Sequence, residues 1–172
     1  MDVSSLVAGL AHPLNGVDHI LAMVAIGLWG AMAGGRALWA WPLAFVSAVL
    51  IGFAAGIMGL RVPLVEPAIA ASIIVLGLLI AFAVRAPLWS GVVMAGVFAF
   101  FHGHAHGTEA AASGAEALPY ACGFSLATAA LHVIGLGAGL LIARSAGFPL
   151  LRAAGGLVAI SGVALISGIP TL

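Results

Sequence analysis

The chain has 172 residues, of which 64% are apolar and 6% charged, with 24 glycines. No soluble domain of this length can hide that much apolar surface, so composition excludes a water-soluble globular protein and points to an integral membrane protein. Five arginines, no lysine and five acids give zero net charge, which excludes nucleic-acid binding, and the single cysteine, Cys122, excludes an intrachain disulfide or a paired thiolate site.

The N-terminus, MDVSSLVAGL, lacks the basic segment, apolar core and small-residue cleavage site of a signal peptide. The expectation is either insertion through the first span or a leader already removed. Hydrophobic runs bounded by arginine, proline, glycine and acids predict one transmembrane domain over 1–172. Its six helical spans fall at about 16–33, 38–60, 66–84, 88–104, 119–143 and 150–167. A half-helix over 4–11 precedes the first span, and Pro13, which lacks a backbone donor and disfavours helix at His12, predicts a bend there. The fourth span is apolar to Phe101 and continues into FHGHAHG as a helix end or a re-entrant turn, Gly103 and Gly107 leaving both open.

The glycine pairs Gly30 and Gly34, Gly52 and Gly56, and Gly135 and Gly139 predict close helix–helix approach. They leave a homo-oligomer open and locate no interface. With the N-terminus outside, Arg36, Arg85, Arg144 and Arg152 fall inside, only Arg61 falls outside, and all five acids lie on or near the outer side. This bias predicts an all-α, six-transmembrane-helix bundle with both termini on the periplasmic side of a bacterial inner membrane. Trp29, Trp39, Trp41 and Trp89 then lie near the inner boundary, where an aromatic belt is expected.

Polar residues concentrate at the outer face. The stretch HPLNGVDH brings His12, Asn15, Asp18 and His19 to the mouth of the first span; His102, His104 and His106 end the fourth; Glu66 opens the third; and Glu109 follows the second histidine cluster. His132 stands apart, about thirteen residues into the fifth span and near the bilayer centre at about 1.5 Å per residue. Unpaired polar groups in hydrocarbon cost on the order of several kcal/mol each, so such groups must find partners or serve a purpose. Asp18 points about 100° from His19 on a helix, so it is either a metal ligand or the partner that fixes which ring nitrogen faces the metal. His102 and His106 share a face if their segment is helical. Imidazoles with a few carboxylates suit Ni, Co, Zn and Cu, whereas Mg or Ca would want oxygen ligands. The plainer readings are a helix cap at Asn15 or Asp18, a solvated histidine-rich loop, and an interhelical hydrogen bond from His132.

At two motifs, HPLNGVDHILAMVAIGLWG over 12–30 and FHGHAHGTE over 101–109, the chain resembles the HupE/UreJ family of nickel/cobalt permeases. The likeness extends to the Glu66 region and to ATAALHVIGLGAGLL around His132, and covers essentially the whole chain. It implies transport of Ni2+, or in some members Co2+, in support of hydrogenase or urease maturation. By matching positions it implies that His12, Asp18 and His19 form one metal-binding motif and His102, His106 and Glu109 the other. His104 stands where many relatives carry an aromatic residue. The larger nickel/cobalt transporter family has four residues between the first histidine and the Asp-His pair; here there are five, so that likeness is an analogy.

The expected function is therefore a secondary permease or facilitator for a divalent transition metal, Ni2+ first, Co2+ next and Zn2+ compatible. His12, Asp18, His19, His102 and His106 capture the ion, Glu66 or Glu109 compensates charge, and His132 is a midway contact. No catalytic residue and no enzyme cofactor is expected, and no GxxxxGK[ST] phosphate loop is present. The rival readings are an intramembrane zinc hydrolase, with a glutamate as general base, and a metal sensor that does not transport. A hydrolase wants a closed ligand set; a permease wants ligands strung along a path.

Overall fold

The computed structural model describes residues 2–145 and 147–167. These form seven α-helices: α1 Val3–Asn15, α2 Val17–Ala33, α3 Ala37–Ile57, α4 Val65–Ala81, α5 Leu88–Ser113, α6 Ala117–Ser145 and α7 Gly147–Ile166. The closest pairings are α3 on α5, α2 and α1 on α6, and α4 on α7. Four helices, α3, α5, α6 and α7, are long and apolar enough to cross a membrane, and α1 with α2 makes a fifth if that pair, bent by 80°, is one span. The 17-residue α4 is apolar but shorter, so helix length gives four or five spans where the hydrophobic runs predict six.

The first helix starts at an N-cap, Asp2, whose carboxylate accepts from the Ser4 and Ser5 hydroxyls at 2.6 Å and from their backbone amides at 3.1 and 3.0 Å. Those bonds, the Ser4 hydroxyl foremost, hold the Asp2 carboxyl well below the usual carboxylate range. Pro13 does not end the helix, and the sharp bend of 80° falls three residues later. α1 runs through His12 and Pro13, and the chain turns at Gly16, which is extended at φ −101°, ψ 115°. Tertiary packing overrides the local preference of an X-Pro pair: Gly9 lies against the Tyr120 backbone, and Gly123 of α6 lies against Leu6.

The helix that carries the fourth predicted span, 88–104, continues unbroken to Ser113, so FHGHAHG is helical and not a re-entrant turn. Gly103 and Gly107 face α3, where an added Cβ would strike the backbones of Val49 and Phe53; Gly52 and Gly56 of α3 reciprocate against Phe100 and His104. The glycines that left helix or turn open thus serve as a close seam. Gly135 and Gly139 work the same way against α2, but Gly34 does not: it caps α2 at φ +70° with nothing near its absent side chain.

Outward faces carry Leu43, Ile51, Leu126, Val133, Leu157 and Ile160, as lipid contact requires, while the core gathers Phe45, Phe124, Ile73 and Leu76. Trp29 and Trp41 belong to that core rather than to a belt. They lie 4.0 Å apart and donate their indole N–H groups to the carbonyls of Val84 and Leu88. Trp39 and Trp89 are exposed. Cys122 is exposed on α6. At the same end as the tryptophans, Arg152 donates to the Ala81 carbonyl at 2.7 Å, tying α7 to the end of α4. The opposite end is closed by Glu116 N–H donating to Ser5 Oγ at 3.0 Å and by a histidine bond described below.

Candidate metal centre

Because α5 is continuous, His102, His106 and Glu109 recur at spacings of four and three residues and share one face. The bend at Gly16 lets side chains of α1 and α2 reach that face from two directions. His12 arrives from α1 and His19 from α2, and four imidazoles meet. Ring centroids are 4.6 Å apart for His12 and His106, 4.4 Å for His19 and His106, and 5.1 Å for His19 and His102. His19, His102 and His106 are buried; His12 is partly open.

At the outer edge of the cluster His12 Nε2 lies 2.9 Å from Glu109 Oε2. Ligand atoms of His12, His106 and Glu109 all fall within 4.8 Å of one another. Two donors bound to one ion at about 2.1 Å lie at most about 4.2 Å apart, so small side-chain shifts suffice for all three to hold one ion. Asp18 Oδ1 stands 2.8 Å from His19 Nδ1. A carboxylate accepts, so Nδ1 carries the proton and Nε2 keeps its lone pair. The two side chains that diverge by helical geometry therefore meet at the first turn of α2. Gly16 gives them the room: a Cβ there would lie 2.6 Å from Asp18 Oδ1 and 2.8 Å from His19 Nδ1.

Six buried ring nitrogens have no hydrogen-bond partner among the described residues: His19 Nε2, His102 Nδ1, and both nitrogens of His106 and of His132. Buried polar atoms are almost always paired, so this concentration of free nitrogen donors marks the chemistry of the interior. Neutral imidazole with one or two carboxylates is a donor set for late first-row divalent ions.

The remaining expected residues fall in different places. His104 does not join the cluster: its Nε2–H donates to the Leu60 carbonyl at 2.7 Å, fastening α5 to the connection after α3. It does line, with His12, His19, Glu66, His106 and Glu109, an open cavity of about 410 Å3. Glu66 is exposed and also lines a neighbouring cavity beside Asp18 and Ile166. His132 is also buried, and the Phe45 ring stands between it and the cluster, 4.9 Å from His132 and 5.8 Å from His102 between ring centroids.

Sequence reasoning missed Phe45, Gly16, Phe124, which packs 4.1 Å from His106, and Ser72, whose Oγ lies 3.1 Å from His102 Nε2. Ser72 carried a signal: it is a lone hydroxyl in the apolar run AIAASIIVLGLLI. Phe45 carried none.

Apolar helices built around a buried run of imidazoles define a helical membrane protein equipped for a transition metal. The HupE / UreJ protein family matches residues 1–165, and the chain belongs to that family. It is 47% identical over 161 residues, 94% of this chain and 84% of the relative, to Protein HupE of Rhizobium leguminosarum bv. viciae. No solved structure matches the chain. Family membership supports a role in metal transport.

Proposed function

We propose that the protein is a secondary permease or facilitator for Ni2+, with Co2+ the next candidate, seated in a bacterial inner membrane. In this reading α1 with α2 forms one bent span and α3 to α7 supply five more, with both termini periplasmic. Arg36, Arg85, Arg144 and Arg152 then mark the cytoplasmic side. The hydrogen bonds that tie α2, α3 and α7 to the end of α4 and the start of α5 support that grouping of connections at one end.

The observation that carries the reading is the open-ended arrangement of free imidazole nitrogens. A hydrated ion meets the carboxylates of Glu66 and Glu109 at the mouth and exchanges water for His12 and His106. It passes to His19 and His102, and moves beyond Phe45 to His132. No station holds a closed ligand set: His12, His106 and Glu109 offer three donors, His19 and His102 two, and His132 one, so the ion is drawn from water and can still be released. That string of partial sites favours a permease over a zinc hydrolase, which needs one closed site. The delivered ion would serve hydrogenase or urease maturation.

The test is uptake into proteoliposomes of Ni2+, Co2+, Zn2+ and Cu2+ by the wild type and by His19→Ala. We expect Ni2+ to enter fastest and His19→Ala to lose at least about tenfold in apparent affinity. Equal uptake by the two proteins refutes the role of the cluster.

A further inference from the structure

Ser72 sits on α4, is completely buried, and lies outside both of the motifs that bear the metal-binding residues. Its hydroxyl makes two contacts. Oγ lies 2.6 Å from the carbonyl oxygen of Ile69, one turn back on the same helix, and 3.1 Å from His102 Nε2 on α5. A serine hydroxyl has one proton and two lone pairs. Two oxygens at 2.6 Å need a proton between them, since lone pairs facing each other at that distance repel, and a carbonyl has none to give. The Ser72 proton therefore goes to Ile69, and a lone pair faces His102.

The consequence falls on the imidazole. Nε2 of His102 must carry the hydrogen and donate it to Ser72, which leaves Nδ1 as the basic nitrogen. Nδ1 is the His102 atom that is buried without a partner. His19 is held in the opposite sense, its Nδ1–H given to Asp18 and its Nε2 buried and free. The two neighbouring rings, 5.1 Å apart at 84°, thus present different nitrogens, each selected by a partner that does not itself need to touch the ion.

We propose that Ser72 is a positioning residue for metal capture: by accepting from His102 Nε2–H it holds the ring in one tautomer and directs Nδ1 into the histidine cluster. This inference rests on the proposed metal permease for its effect on transport, but the tautomer stands independently of it. An alanine at 72 leaves Nε2–H without an acceptor and frees the ring to exchange tautomers or turn.

Two measurements separate the inferences. In the metal-free protein labelled with 15N-histidine, long-range 1H–15N spectra at pH 8 distinguish the tautomers, the His102 signals being those lost in His102→Ala. We expect wild-type His102 to be protonated at Nε2 and Ser72→Ala to give a mixture. A wild-type His102 protonated at Nδ1, or a spectrum unchanged by Ser72→Ala, overturns the proposal, and the first result requires no serine variant to fold. In proteoliposomes we expect Ser72→Ala to raise the half-saturating Ni2+ concentration about tenfold with little change in maximal rate, and Ser72→Thr, which keeps the hydroxyl, to recover most of it. Unchanged half-saturation in Ser72→Ala, with His102→Ala impaired, overturns the role of Ser72 in capture. Wild-type uptake by His102→Ala would instead overturn the proposed path and, with it, that role, while the spectra still decide the tautomer.

Discussion

Replacing Gly16 with alanine isolates the geometry of the mouth from the stability of the fold. The backbone at Gly16 is at φ −101°, ψ 115°, open to any L-residue, so alanine introduces no strain there. It also restricts the unfolded chain, which by itself stabilises by about 0.4–1 kcal/mol. The added methyl, however, would stand 2.6 Å from Asp18 Oδ1 and 2.8 Å from His19 Nδ1. The two atoms must retreat by about 0.9 and about 0.7 Å to reach van der Waals separation of about 3.5 Å. Their own hydrogen bond, 2.8 Å long, cannot keep its alignment through that displacement. His19 then loses the partner that selects its tautomer and directs Nε2, a loss that typically costs 10–100-fold in metal affinity. The assay pairs Ni2+ uptake in proteoliposomes with thermal unfolding in the same detergent. We expect half-saturation to rise by at least about tenfold while the melting temperature stays level or rises. Wild-type half-saturation in a folded Gly16→Ala protein would show that the Asp18–His19 pair does not govern capture.

Three further outcomes follow from the same geometry. His104→Ala removes a bond to the Leu60 carbonyl, so it should cost about 1–3 kcal/mol in denaturant unfolding yet leave Ni2+ uptake close to wild type, whereas His106→Ala should abolish high-affinity uptake. Gly107→Val places a side chain on the Phe53 backbone and should force α3 from α5, destabilising by about 1–3 kcal/mol or more and displacing His106 with the helix; a protein of unchanged stability would contradict the seam. Because an imidazole must be neutral to bind metal, and protons compete for the same lone pair, uptake should fall as the outer pH drops below about 6. Ni2+ uptake measured from pH 5 to 8 at constant membrane potential checks this, and an unchanged rate at pH 5 would refute capture by imidazoles open to the outer water.

The amino-acid sequence by itself determines the class of protein and its polar roster. Length of apolar run is a one-dimensional property, as is the position of arginine, so helices at 38–60, 119–143 and 150–167 are legible within a few residues, and so is the concentration of histidines in two motifs. The tertiary structure alone decides which of those histidines meet. Seam glycines show why. Gly103 and Gly107 read as possible helix breakers in isolation, and only against α3 do they become contact points of a continuous α5 that puts His102 and His106 on the inner face and turns His104 towards Leu60. The same holds at the mouth, where Pro13 signals a bend locally but packing of α1 on α6 moves it to Gly16, bringing His12 and His19 to the cluster from different helices. Ser72 and Phe45 gain meaning only from that packing. A side chain's partner across a bundle depends on the relative rotation of two helices. That rotation is set by surface contacts between residues far apart in the chain, which no local pattern encodes.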